Sequence, residues 1–395
     1  MISIPEATRK KGDGVEVPKE YEGREQSFLK HRILRDYLLE WGMKLGSVAR
    51  KREVRLCYVD GFAGPWCAAS NDLADTSIAI GLTALEEVNA TWRAQGVQFR
   101  IEARFIEKDQ SAYDQLEAYV ASRAGTISVT TRHGEFGEHI PELVSWMGKD
   151  AALIFVDPTG WKGAAMRFIA PLVRGYERRD VLINLMYDHI NRFKDDDRAF
   201  LREQMREFFG LTDADLPEAM SEQELFALYR RRLKEVCGVR YAADLAVPDP
   251  TRERTKFGIV VGGSAPAVLE VFRKVERKVM GEEAPSVLGS ATSRQEEDRT
   301  GQLALLPRTR PAQYDASHRE ALSMARTKVL EALRLGQPTP FKTVWPPLLE
   351  ELHLTKSELA QAVWAAFKAK ELLISNVQPR ERTAKDEHVL SLPIS

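Results

Sequence analysis

Apolar residues recur at helical spacing between Ser27 and about Ala49, where Leu29, Ile33, Leu34, Tyr37, Leu38, Trp41 and Leu45 share one face. The polar stretch 1–26 before it has little periodicity and reads as a loosely ordered arm. From Glu53 onward the pattern switches between short apolar runs and helical segments. Strands are expected at Glu53–Asp60, Phe99–Glu107, Thr126–Thr131, Ala151–Val156 and Asp180–Tyr187. Helices are expected between them at Thr76–Gln95, Asp109–Arg123, Phe136–Met147 and Ala164–Arg174. Asp109 is a suitable cap for its helix. Apolar strands alternating with helices predict a parallel sheet covered on both faces, an α/β fold of Rossmann-like type.

Two helices, Asp196–Phe209 and Ser221–Cys237, should follow. Then Val239–Val247 and Lys256–Val261 flank the turn-rich PDPTRERT, which predicts an antiparallel hairpin closing the sheet. After a helix at Val268–Met280, residues 281–315 mix Gly, Pro, Ser, Thr and charge without period, and read as a linker. From His318 a helix runs to about Leu335, a short one covers Thr343–Leu352, and Thr355 with Glu358 forms a capping box for Thr355–Lys370. Strands Leu372–Val377 and Glu387–Leu392 around the turn PRERTAKD complete an expected winged helix-turn-helix. The expected organisation is an arm (1–26), a Rossmann-like domain (27–280), a linker (281–315) and a winged-helix domain (316–395).

Composition adds limits. A chain of 395 residues exceeds one typical core, and its net charge of -1 gives no global attraction to nucleic acid. The C-terminal region from His318 carries 11 Lys and Arg against 9 Asp and Glu, a net +2 that is mild for DNA binding. Three cysteines, Cys57, Cys67 and Cys237, without a CxxC pair argue against a disulfide framework or a zinc ribbon. The polar N-terminus lacks a signal-peptide core and no long apolar run exists, so a cytoplasmic chain with no membrane contact is expected.

Candidate chemistry gathers at strand ends. Asp60 ends the first strand and Gly61, Phe62, Ala63 and Gly64 follow, a turn that lets a ligand approach backbone N–H groups. The Asp60 carboxylate suits the ammonium of a methionine moiety. Glu107 ends the second strand, where Rossmann-like proteins place an acid on ribose hydroxyls. After the third strand, Gly134, Glu135 and Phe136 either meet an adenine or are a capping Glu and a core Phe. The fourth strand ends in Asp157-Pro158-Thr159-Gly160-Trp161. Amino-methyltransferases acting on nucleobases place an acid or amide, prolines and an aromatic there, and this string matches in part. Asp157 is the candidate orienter of a nucleophile. Trp161 is a stacking platform or the buried anchor of the next helix. His189 and Arg192 follow the fifth strand and could hold an anionic acceptor, or Arg192 could pair with the acidic run 195–197. Acids at three successive strand ends define a pocket for S-adenosylmethionine, and a sheet of this kind with a closing hairpin fits the class I methyltransferase topology. The winged helix suggests a nucleic-acid partner through Lys356, Arg380 and Arg382.

These strings resemble the three-Cys-motif partner (TcmP) family. The resemblance lies in Lys30-His31-Ile33-Leu34, in Tyr58-Val59-Asp60-Gly61-Phe62-Ala63-Gly64-Pro65 and in Phe105-Ile106-Glu107. Phe155-Val156-Asp157-Pro158 with Gly160, and Arg192, extend it over about residues 27–275. It implies a methyltransferase-like Rossmann fold and a partner protein that is radical-SAM-like with a three-cysteine motif. Family members commonly have a glycine where this chain has Trp66. Two other functions stay open at this level. One is a non-catalytic nucleotide- or partner-binding protein. The other is a metal-dependent nucleic-acid-processing enzyme using Asp60, Glu107 and Asp157 as ligands.

Overall fold

The computed structural model describes residues 15–393 except 50–52, 65–72, 98–99, 195, 197, 212–216, 218, 302–308, 311–312 and 335–336. Helix α1 (Glu25–Ala49) precedes a run of alternating elements: β1 (Arg55–Asp60), α2 (Ser77–Ala94), β2 (Arg100–Glu107), α3 (Gln110–Ser122) and β3 (Ser128–His133). A 3-10 turn (Phe136–His139) leads into α4 (Ile140–Met147), β4 (Ala151–Val156), α5 (Met166–Val173) and β5 (Arg179–Leu185). Then come α6 (Tyr187–Phe193), α7 (Ala199–Phe209), α8 (Glu222–Cys237), β6 (Tyr241–Pro248) and β7 (Thr255–Gly263). The strands form one seven-stranded sheet in the order β3-β2-β1-β4-β5-β7-β6. β1 to β5 are parallel, and β7 runs antiparallel to both β5 and β6. This is the doubly wound sheet with a closing antiparallel pair that the hydrophobic pattern predicts.

Both faces of the sheet are buried, which is why β4 and β5 are apolar or enclosed at every position. One face packs α4, α5, α7 and α8 around Ile154, Ile183 and Val260. The other packs α1, α2 and α9 (Ala267–Glu276) around Leu153, Phe155 and Leu182. Local signals place the helix starts: Thr76 caps α2, Asp109 caps α3, and Ser221 with Glu224 forms a capping box on α8. The Tyr37 hydroxyl of α1 donates to Asp180 Oδ2 of β5 at 2.9 Å, tying helix to sheet inside the core.

The expected linker is a different structure. A π-helical segment (Arg277–Glu283) runs into α10 (Ala284–Thr300), which buries Val287, Leu288 and Ala291. Its partner is α1, through the bidentate Arg32–Glu283 pair at 2.8 and 2.9 Å. Residues 302–308 of that expected linker, and 1–14 of the arm, lie outside the described residues. The C-terminal elements are α11 (Gln313–Leu333), β8 (Thr339–Pro340), α12 (Phe341–Glu351), α13 (Lys356–Lys368), β9 (Leu373–Ser375) and β10 (Val389–Ser391). Three helices and a small antiparallel sheet in the order β8-β10-β9 occupy the region where three helices and a two-stranded wing were expected. Phe341, Trp345, Val363 and Leu390 join the same core cluster as the sheet face. Among the described residues no helix is long and apolar enough to cross a membrane.

Candidate active site

The turn after β1 folds inward. The Gly61 N–H donates to Phe155 O of β4 at 3.0 Å, and the Ala63 N–H donates to Ile106 O of β2 at 2.8 Å. Asp60 pairs in register with Phe105 and Phe155, two residues short of Glu107 and Asp157. It therefore sits about 6–7 Å deeper than those two acids. Its side chain is enclosed: Oδ1 accepts from the Phe62 N–H at 3.1 Å and Oδ2 from the Ser77 hydroxyl at 2.7 Å. Burial pushes its pKa up to about 7, against the pull of those two donors. Asp60 thus fixes the loop from beneath. Gly61 is required by packing, since a Cβ there would lie 2.7 Å from the Phe136 ring. Gly64 is partly exposed, whereas Pro65, Trp66 and Cys67 lie outside the described residues.

Glu107 ends β2 with its carboxylate held by backbone, Oε1 accepting from the Asp109 N–H at 2.6 Å. Burial raises its pKa. Beside it Gly134 turns with φ +132° and donates its N–H to Glu107 O at 3.0 Å. Of the two readings for the next residues, the structure supports the capping and packing one. Phe136 is a buried core residue 5.6 Å from the Phe62 ring, so its face is not open to a base. Glu135 occupies the cap position of the 3-10 turn, is itself exposed, and donates its N–H to the Glu138 carboxylate at 2.9 Å.

The tip of β4 carries a polar network. Asp157 Oδ2 meets the Lys30 ammonium of α1 at 2.5 Å, and Oδ1 accepts from Asn184 Nδ2 of β5 at 2.6 Å. The side chains of Lys30 and Asp157 are each 15% exposed, so the pair is sheltered but reachable. A carboxylate only accepts, which forces the Asn184 Nδ2 toward it and leaves Asn184 Oδ1 buried without a partner. Next to Lys30, burial lowers the His31 pKa to about 3, and its Nδ1 lies 2.8 Å from the Tyr21 hydroxyl. His31 is a neutral structural residue. Nothing in the sequence marks Asn184, and Lys30 stands out only within a motif. Their partners lie far along the chain and nothing local signals the contacts.

Pro158 is buried and Thr159 exposed. Gly160 adopts φ +113°, and a Cβ there would sit 3.3 Å from the His189 ring. Trp161 is only 6% exposed, donates its indole N–H to Gln204 at 3.1 Å, and packs against His189 and Phe193 at 4.7 and 5.8 Å. It is an anchor, not an open stacking platform. His189 is half-buried, and burial followed by the Arg192 charge lowers its pKa. Arg192 is exposed, and the Asp196 carboxylate is taken by Arg198 at 2.8 Å rather than by Arg192. Residues 195 and 197 of that acidic run lie outside the described residues.

In the C-terminal region Lys356 is committed internally. It pairs with Asp386 at 2.7 Å, approaches Glu270 of α9 at 3.8 Å, and covers the Trp345 ring at 4.6 Å. This corrects its expected role as a free contact for a nucleic acid. Arg380 and Arg382 are exposed. Between them Glu381 accepts from Lys385 at 2.6 Å and His388 at 3.0 Å, and these bonds hold its pKa at about 2. Cys57 and Cys237 are buried with pKa values near 12, too high for a thiolate nucleophile. Among the described residues no three His, Cys, Asp or Glu side chains gather as a metal site.

The molecule is thus a Rossmann-like α/β protein of mostly parallel sheet, whose acids sit at the carboxyl tips of adjacent strands. No family model matches the chain, and no curated protein is similar to it. Among solved structures it is similar to a Legionella pneumophila protein at 10% identity and TM-score 0.33, over 63% of this chain and 92% of that one. An Anabaena variabilis SAM-dependent methyltransferase matches at 10% identity and TM-score 0.24, over 53% and 77%. A loganic acid methyltransferase with SAH matches at 9% identity and TM-score 0.27, over 72% and 92%.

Proposed function

We propose that the chain is an S-adenosylmethionine-dependent methyltransferase that holds its cofactor along the tips of β1 and β2 and its acceptor beside β4. One observation carries this reading. Glu107 and Asp157 end β2 and β4 on either side of β1 and its glycine turn, at the edge where open α/β sheets bind ligands, and Asp60 lies beneath them. The residues present fit the cofactor. Glu107 ends β2, the strand at whose tip such folds hold a ribose diol, and the Asp109 N–H anchors its carboxylate. The Gly61–Gly64 turn supplies backbone for close approach, and Asp60 braces that turn through the Phe62 N–H and Ser77.

When bound, S-adenosylmethionine supplies an electrophilic methyl group on a sulfonium. The work of this chain is then to orient the acceptor and exclude water. Asp157 suits the first task. Lys30 and Asn184 each use one lone pair of a different oxygen, which fixes the carboxylate and leaves further lone pairs for an acceptor N–H or O–H. The paired Lys30 balances its charge. A nucleic-acid acceptor draws support from the exposed Arg192, Arg380 and Arg382, and from reading the C-terminal helices and small sheet as a winged helix. Membership of the TcmP family, with a radical-SAM-like three-cysteine partner, is the finer form of this proposal and draws on the strand-tip motifs.

The test is transfer of radiolabelled methyl from S-adenosylmethionine to DNA, RNA and the purified partner. Label is expected on one of them, and Asp157→Ala should abolish it with cofactor affinity nearly intact. Label that persists in that variant removes Asp157 from the mechanism. The buried Trp161 and the doubly bonded Asp157 favour a second reading, a non-catalytic cofactor-binding protein. Cofactor binding with no labelled acceptor would select it.

A further inference from the structure

A groove of about 500 Å³ lies where the Rossmann-like unit meets the C-terminal elements. It is bounded by α8, β6 and α9 on one side and by α11 and α12 on the other. Its volume falls in the range of about 300–1,000 Å³ typical of small-molecule sites. The two sides are locked together by Arg273, 1% exposed, whose guanidinium donates to Leu349 O and Asp244 O at 2.9 Å. The groove is therefore a fixed feature of the packed chain.

Three observations define what it would take. First, its charges do not cancel. Arg230 is neutralised by Asp244 at 2.7 Å and Arg273 by Glu276 at 2.6 Å. Glu222 is met by a neutral donor, the Thr255 hydroxyl at 2.8 Å. Glu320 and Glu351 have no ion pair among the described residues and face a single such cation, Lys328. Second, Met324 is exposed on the wall and gives it an apolar surface. Third, Tyr314 lines the groove at 6% exposure, and its hydroxyl is buried with no hydrogen-bond partner. A buried hydroxyl without a partner is destabilising, and a ligand N–H would relieve it.

The geometry points to a binding site for a free aliphatic polyamine. Ammonium groups would meet Glu222, Glu320 and Glu351, methylenes would lie on Met324, and one N–H would donate to the Tyr314 hydroxyl oxygen. The site is independent of the strand-tip acids and of any methyl transfer. Because it spans two parts of the chain, an occupant would also raise the melting temperature.

Spermidine titrated calorimetrically into the full chain at physiological salt tests the assignment. One saturable site per chain is expected. The double variant Glu320→Gln with Glu351→Gln should weaken it by about tenfold or more. Tyr314→Phe should weaken it severalfold while leaving the free chain at least as stable, since it removes an unpaired buried group. That pairing separates ligand binding from a purely structural role. Absence of saturable binding up to about 10 mM, or equal binding by the double variant, overturns the proposal.

Discussion

Lys30 changes what Asp157 can do. Without it Asp157 would be a sheltered carboxylate at a strand tip, unpaired and loosely held. With it the carboxylate is one half of an ion pair that Asn184 also grips. Lys30→Met should destabilise the chain by about 1–3 kcal/mol in denaturant unfolding, because it strands a sheltered charge. A change below a few tenths would mean the pair is not formed. The acids themselves were legible in the sequence, because a strand that ends in Asp or Glu declares its own rim position. The partners were not, since Lys30 and Asn184 stand 127 and 27 residues away from Asp157. Trp161 shows a second limit: the residue type suits both a platform and an anchor, and only packing against Gln204, His189 and Phe193 decides. Asp180 carries a pH signature. Burial raises its folded pKa to about 7, above the ordinary 3.8, so the folded state holds the proton more tightly than the unfolded one. Its contribution is complete below pH ~4 and is lost as pH rises toward 7. Asp180→Asn should therefore be more stable than the parent at pH 8, on the order of a few kcal/mol, with the gap closing at pH ~4. A gap independent of pH would contradict the assignment.

Among the elements, the turn after β1 is the most constrained. Gly61 faces the Phe136 ring so closely that a methyl group cannot enter without displacing it. Gly61→Ala should cost about 1–3 kcal/mol by overpacking, and Phe136→Leu in the same chain should restore part of that loss. No recovery in the double variant would place the strain elsewhere. The strands were legible as elements because two-sided burial demands apolar runs. Helix α10 was not, although its ends carry ordinary signals, Pro285 in the first turn and Gly301 at the C-cap. Its Ser, Thr and charged residues dilute the stripe of Val287, Leu288 and Ala291, and the π-helical entry shifts the period of three to four that such a stripe follows. Strand β8 is two residues long and leaves no periodic trace. The C-terminal helices were visible through the Thr355–Glu358 capping box, but their docking on α9 was not.

For the whole molecule, the sheet face and the C-terminal elements share one core cluster, and buried Arg273 bridges them. Unfolding followed at the sheet and at the C-terminal tryptophans Trp345 and Trp364 should therefore give coincident transitions. Two separated transitions would show independent units. The Rossmann-like arrangement was legible because alternation of strands and helices leaves few topologies. The chemistry at its edge depends on whether the acids there hold a nucleoside. A calorimetric titration of S-adenosylmethionine into the parent chain and into Glu107→Ala measures this most directly. One-to-one binding is predicted, weakened about tenfold or more in the variant through lost diol hydrogen bonds. Failure of the parent to bind, or equal binding by both chains, would contradict it.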